Sequence, residues 1–408
     1  MRITVLSTFD IWPPRDGGQF RYSELWTKFS SRHEITIVAY EFRNLVSDRR
    51  YRLAGNVEVV VPRASDGDAR HFAHMLERTG LWLQDILCLV DYRFSDEFLR
   101  TLAGIVSSSD VVVASHPYLA HVAYPFARRD ALRVYESYNV EYDIKDRYLH
   151  TSAAKNETAR LLAQVRQGER CAAQQAHHVT AVSANDRSRL IELYDLDERQ
   201  VSVVPNGVNV RDSRVLSPAE RDDVRRRLKL HPGLVGIFIG SVYSANVESY
   251  RRGRLLLEEA GFRGSMFLVG SINTAPRTDW PEVGFDERWF GFVDDDEKLL
   301  LLESADFALQ LIYDGAGTNL KLFDYMAAEL PIIANAFGSR GVEEEDWFLP
   351  VETAADLATT LAALAERPEE AARVAERARR IARERFDWRA IAGDFEARME
   401  RGFPAAVD

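Results

Sequence analysis

Residues 307–342 read FALQLIYDGAGTNLKLFDYMAAELPIIANAFGSRGV, and this stretch decides the fold. The apolar run at 307–311 has the length and continuity of a buried strand. A turn bearing Gly315 and Gly317 follows, then a helical pattern near 318–328 and a second strand-like run at 331–334. Strand, turn, helix and strand in that order form a βαβ unit, and such a crossover joins parallel strands.

The same alternation fills the rest of the chain, which predicts an α/β protein built of doubly wound, Rossmann-like sheets. Upstream, strand-like runs at 3–6, 35–39, 57–61, 111–114, 132–135 and 179–182 are separated by amphipathic stretches such as 21–30, 95–106 and 153–175. The run 201–204 leads into Pro205-Asn206-Gly207-Val208, whose Pro and Asn-Gly pair punctuate the chain and mark a domain boundary. The pattern then restarts, with strands at 235–239, 265–269 and 285–290 and helices at 246–260 and 295–303. Leu357, Leu361 and Leu364 form one helical stripe and Val374, Ala378 and Ile381 another, after which Asp387 stands as the N-cap of a last helix bearing Ile391, Phe395 and Met399. The run 221–229 alternates in sign and reads as a solvated helix face. The expected division is residues 1–204, residues 205–385 and a C-terminal helix within 386–408.

Composition narrows the function. A chain of 408 residues with 46% hydrophobic and 28% charged residues builds large soluble cores. With 63 acidic against 52 basic residues the net charge is −11, so bulk electrostatics do not favour nucleic acid, and membrane contact is expected to be at most peripheral. Two cysteines, Cys88 and Cys171, signal neither a disulfide framework nor a zinc site, and the first residues lack the pattern of a secretory signal. A soluble, cytoplasmic protein is expected.

Open parallel sheets bind ligands at the carboxyl ends of their strands, so a cleft between two such domains is the expected site. In the segment from Asp314, the residues Gly315, Ala316, Gly317, Thr318 and Asn319 would leave backbone amides free at the positive end of a helix dipole, which suits a phosphate or diphosphate. Lys321 lies about a turn into that helix and Asp324 nearly another turn on, so both would face one ligand. The segment itself is equally compatible with a tight turn, Thr318 as an ordinary N-cap and Asp324 as surface charge.

The stretch 315–342 resembles the carboxy-domain signature of glycosyltransferase family 4, retaining enzymes of the GT-B fold that use nucleotide-sugar donors. Gly17-Gly18, VSANDRSRL at 182–190, VVPNGV at 203–208, IGSVYSANVES at 239–249 and WFGFVDD at 289–295 agree with it in order and spacing. The resemblance implies two Rossmann-like domains facing across a cleft, an acceptor-side amino domain, a nucleotide-sugar-binding carboxy domain and a last helix returning to the amino domain. It implies that Asp324 holds the donor ribose, in place of the usual Glu. The acid found eight positions earlier in many members is Ala316 here, with Asp314 as the nearby substitute. The Arg and Lys that often follow the first carboxy-domain strand are absent from Gly240-Ser241-Val242-Tyr243, leaving Lys321 or Arg340 to neutralise the diphosphate.

On the amino side, Gly17 and Gly18 open a helix without the dinucleotide fingerprint, and fit close backbone approach to a donor or a simple loop turn. His116 follows the strand at 111–114, where the resemblance places a sugar-contacting histidine; His121 lies a turn further on. Asn139 and Glu141 line the same end or cap a helix. The expected activity is transfer of a sugar from a nucleoside diphosphate to the hydroxyl of a glycan, lipid-linked or small-molecule acceptor in bacterial glycan synthesis, with no cofactor and no metal. An epimerase of the same fold and a noncatalytic nucleotide-sugar-binding subunit are the alternatives.

Overall fold

The computed structural model describes residues 1–14, 17–89, 94–210, 216–230, 232–314 and 319–403. The chain forms two compact units, Met1–Asn206 with Trp388–Asp408, and Gly207–Asp387.

The first unit runs through β1 (Arg2–Ser7), α1 (Gly17–Thr27), β2 (Glu34–Ala39), β3 (Arg49–Ala54), β4 (Val57–Val61), α2 (Asp66–Thr79), α3 (Asp96–Val106), β5 (Val111–Ser115) and α4 (Ala120–Ala123). It continues with β6 (Leu132–Glu136), α5 (Glu141–His150), α6 (Lys155–Gln175), β7 (His178–Ala181), α7 (Ala184–Tyr194) and β8 (Val201–Val203). The strand order is β3-β4-β2-β1-β5-β6-β7-β8. Neighbours are parallel except β3, which lies antiparallel on β4 at the edge. Every residue of β5, and all of β1 after its first residue, is buried, the mark of strands covered on both faces. The chain builds outward from β1 on one side and returns through β5 on the other, so the switch point lies between these two strands.

One carboxylate ties the helices behind this edge together. Glu169 of α6 accepts from the first amides of α5, Glu141 N at 2.9 Å and Tyr142 N at 2.8 Å, and from the hydroxyls of Tyr135 at 2.9 Å and Tyr194 at 2.6 Å. The α5 N-terminus is thus capped from another helix, not by Asn139 or Glu141 as their sequence positions suggested.

The second unit contains α8 (Pro218–Arg227), β9 (Val235–Ile239), α9 (Ser244–Glu259), β10 (Ser265–Val269), β11 (Asp286–Gly291), α10 (Asp295–Ser304) and β12 (Phe307–Gln310). It ends with α11 (Leu320–Ala327), β13 (Ile332–Ala334), β14 (Leu349–Pro350), α12 (Ala354–Glu366) and α13 (Pro368–Arg385). Its parallel sheet has the order β11-β10-β9-β12-β13-β14, with the switch point between β9 and β12. Helix α8 is not the purely solvated face its alternating charges suggested. Its Arg221 and Arg225 reach Asp306 at 3.5 and 2.8 Å, and Arg225 also donates to Ser304 O.

After the second unit the chain returns to the first in α14 (Trp388–Glu400). Trp388, Ile391, Phe395 and Met399 join the core of the first unit, the Phe395 ring lying 5.8 Å from both Trp26 and Phe29. Glu396 accepts from Ser30 N at 3.2 Å and pairs with His33 Nε2 at 2.9 Å. Among the described residues no helix is long and apolar enough to cross a membrane.

Candidate active site

Because β9 and β12 are neighbours, the segments leaving their carboxyl ends lie side by side in the second unit. The turn after β9 holds Gly240 and Ser241. A Cβ on Gly240 would meet Phe238 Cε1 at 2.8 Å, so glycine here makes room for the Phe238 ring. Gly270, at φ 101°, packs so closely that a Cβ would lie 2.4 Å from Gly240 O, which also accepts from Ile272 N at 3.1 Å. Ser241 Oγ accepts from Asn246 Nδ2 of α9 at 3.0 Å, and Asn246 Oδ1 accepts from Lys321 Nζ of α11 at 2.7 Å. Lys321 is 9% exposed, with its Nζ 4.3 Å from the centre of the Phe238 ring. Burial pulls its pKa down to about 7.

Gly315, Ala316, Gly317 and Thr318 lie outside the described residues. Asp314, before them, is exposed, and Asn319, after them, starts α11 without a side-chain cap, its Nδ2 buried with no hydrogen-bond partner among the described residues. Lys321 and Asp324, which the sequence placed toward one ligand, turn to different partners. Lys321 turns to Asn246, whereas Asp324 pairs with Lys298 of α10 at 3.3 Å and lines, with Lys298 and Asp295, a cavity of about 90 Å³. Burial raises the Asp324 pKa against the opposing pull of Lys298, and Asp324 in turn raises that of Lys298. Arg340 stacks over Phe337, its Cζ 3.6 Å from the ring centre.

In the first unit the corresponding strand ends carry aromatic and acidic groups. Gly17 and Gly18 form the first positions of α1. His116 directly follows β5 with φ 110°, a conformation that L residues rarely adopt. Its ring lies 4.2 Å from that of Tyr138 and 5.8 Å from that of Phe9. Its Nε2 is 3.7 Å from Glu141 Oε1, and Glu141 Oε2 accepts from Tyr118 at 2.5 Å. Burial lowers the His116 pKa, with Glu141 opposing, so the imidazole is neutral near pH 7. His121 is exposed. Beneath this end, Arg21 is buried and donates to Glu136 Oε1 at 2.9 Å, Val204 O at 3.0 Å, Pro205 O at 2.9 Å and Asn206 Oδ1 at 3.0 Å.

Among the described residues, the one grouping of three metal-type ligands is His33, just before β2, with Glu396 and Glu400 of α14, and none of the three belongs to the strand ends just described. The Arg32 guanidinium already sits 3.2 and 3.1 Å from the two carboxylates, where a cation would stand.

Two doubly wound, largely parallel sheets in tandem, with the last helix returned to the first unit, define the GT-B fold. Residues 24–212 match the model for Glycosyltransferase Family 4 and residues 251–397 that for Glycosyl transferase-like proteins, and the chain belongs to this family of glycosyltransferases. No curated protein sequence matches the chain. Among solved structures it is similar to sucrose-phosphate synthase from Thermosynechococcus elongatus, with TM-score 0.69, 14% identity and 98% of each chain covered. It is also similar to Anabaena HepE in complex with UDP, with TM-score 0.62, 14% identity and 98% and 100% of the two chains covered. OtsA in its apo form gives TM-score 0.64 at 14% identity over 100% of both chains.

Sequence reasoning missed Asn246, Phe238 and Lys298. Asn246 sits in the IGSVYSANVES motif that carried part of the resemblance, so its position was visible though its partner was not. Nothing local to Lys298 announces its pairing with Asp324.

Proposed function

We propose that the chain is a retaining, metal-independent glycosyltransferase that moves a sugar from a UDP-sugar to the hydroxyl of a glycan or glycoconjugate acceptor. The observation that carries this reading is Lys321, a nearly buried amine beside the turn at Gly240 and Ser241 with one hydrogen-bond acceptor among the described residues. Once protonated it has two further N–H groups to offer and a desolvation cost that an anion offsets, and a diphosphate supplies both acceptors and charge. Complexes of the similar HepE with UDP and with UDP-glucose support a uridine nucleotide as donor.

In this reaction the bond from the anomeric carbon to the diphosphate oxygen breaks and negative charge grows on that oxygen. Lys321, joined by Arg340, stabilises the charge, which is why the interaction lowers the barrier and does more than hold the ground state. The acceptor oxygen forms the new bond on the same face while its proton passes to the departing phosphate oxygen. Asp324 accepts from the donor ribose, and neutral His116 holds a sugar hydroxyl. Gly17 and Gly18 allow close backbone approach to the donor. No cofactor or metal enters this scheme, because the protein's own cations meet the leaving charge. Cys88 and Cys171 are both free, which fits a cytoplasmic setting.

The test is incubation with a panel of UDP-sugars and glycan acceptors in the presence of a chelator. Release of UDP with a glycoside of retained anomeric configuration is the expected result, abolished in Lys321→Ala. An isomerised donor without UDP release would identify an epimerase, and UDP-sugar binding without either product a noncatalytic subunit.

A further inference from the structure

Helices α5 and α6 of the first unit border a surface groove of about 720 Å³ that none of the residues above uses. His150, Lys155, Arg166 and Arg170 line it, and no acidic residue does among the described residues. In a chain with 63 acidic and 52 basic residues, a groove whose charged lining is Lys155, Arg166 and Arg170 runs against the composition.

The neighbouring carboxylates are committed elsewhere. Asp143 pairs with Arg189 at 2.8 Å, and Glu157 with Arg78 at 2.8 Å and Arg160 at 3.1 Å. Glu169 is turned inward to cap α5, and Asp146 stands 3.3 Å from His150. Arg166 and Arg170 have no carboxylate partner among the described residues. The Arg166 guanidinium is held over the Tyr142 ring, 5.2 Å from its centre, and so is positioned without being neutralised. Beside these cations runs an aliphatic strip of Ala159, Leu162 and Ala163, with Leu162 partly buried and Leu149 buried behind it.

We propose that this groove binds the phosphate headgroup of an anionic lipid at a bilayer surface, with Arg166 and Arg170 on the phosphate and the alkyl chain against Leu162. The apolar strip distinguishes this ligand from a free phosphate, which would gain nothing from it, and guanidinium geometry suits phosphate oxygens. The proposal is independent of the transfer reaction and places the protein at the membrane through one face of the first unit.

The experiment is co-sedimentation of the full chain with vesicles of equimolar phosphatidylcholine and phosphatidylglycerol, and with phosphatidylcholine alone. Binding to the anionic vesicles only, weakening as salt rises, is expected. The double variant Arg166→Glu/Arg170→Glu should reduce partitioning by roughly tenfold or more. Leu162→Ser should reduce it with the salt dependence unchanged. The melting temperature of each variant without added ligand serves as the fold control, and if the double variant does not fold, Arg166→Gln and Arg170→Gln singly carry the test. The proposal is overturned if the wild type ignores anionic vesicles or if the arginine variants bind as well as it does. It is equally overturned if inorganic phosphate displaces the vesicles while Leu162→Ser has no effect, which would mark a site for soluble anions.

Discussion

If Lys321 meets the donor diphosphate, nucleotide binding must draw a proton from solution. In the empty protein burial holds this amine at about 7, so at pH 8 roughly nine-tenths of the molecules carry it neutral. A diphosphate beside it restores the charged form, because an adjacent anion favours the ammonium. Affinity for UDP should therefore fall by nearly tenfold, about 1.4 kcal/mol, for each pH unit above 7, until the pKa of the bound state is reached. The second ionisation of a phosphate lies near about 6, so from pH 7.5 upward UDP itself contributes little. Isothermal titration at pH 8 in two buffers of different ionisation enthalpy counts the proton directly, and uptake of nearly one proton per UDP is expected.

Two variants separate the cause from its surroundings. Lys321→Arg keeps a cation that does not titrate, so its affinity should stay flat from pH 7 to pH 9. Lys321→Met should bind weakly and also without pH dependence. The empty protein gives an independent check on sign. A lysine whose folded pKa is depressed binds fewer protons folded than unfolded between about 7 and its ordinary 10.5, so its contribution to stability rises with pH through that window. The melting temperature of the wild type relative to Lys321→Met should accordingly climb from pH 7 to pH 9. Flat wild-type affinity over that range, with no proton uptake, would refute the assignment of Lys321 to the diphosphate.

Loss of the Asp324 carboxylate in Asp324→Ala should weaken UDP binding by about 1.5 to 3 kcal/mol, roughly tenfold or more by titration, with Asp324→Glu close to wild type. Of two variants that both lack the imidazole, His116→Gly should be more stable than His116→Ala by about 1 kcal/mol in denaturant unfolding, because the φ of 110° costs glycine nothing, while turnover falls in both. Cutting the chain after Asp387 removes Trp388, Ile391, Phe395 and Met399 from the first core. At about 1.5 kcal/mol or more each, their loss approaches the whole stability of a domain, so calorimetry should show the transition of the first unit abolished and that of the second retained.

What the sequence revealed follows from how each element is stabilised. The central strands announced themselves because helices cover both faces and every position must be apolar, as in Val111-Val112-Val113-Ala114. Strand β3, RRYRLA, did not, because an antiparallel edge needs only alternate contacts, and Tyr51 and Leu53 interleaved with Arg50 and Arg52 look like solvated chain. The α5 cap was misjudged for a related reason. Local residues supply most caps, but here the acceptor is Glu169, 28 residues beyond Glu141, and its position depends on how α6 crosses α5.

The same distinction explains the candidate site. Residue types at strand ends were legible, since switch-point chemistry follows from the order of elements, but their pairing was not. Lys321 and Asn246 are 75 residues apart and meet only because β9 and β12 are adjacent. That adjacency bears on the missing basic residues after Gly240. A cation on that turn would stand on an exposed segment and stay charged in the empty protein. Moving it to α11, beneath Phe238 and against Asn246, buries it, so its charge now depends on what occupies the site. If Lys321 serves the donor as proposed, this geometry changes the chemistry as well as the position, because full charge becomes a consequence of anion binding and donor affinity is tied to pH.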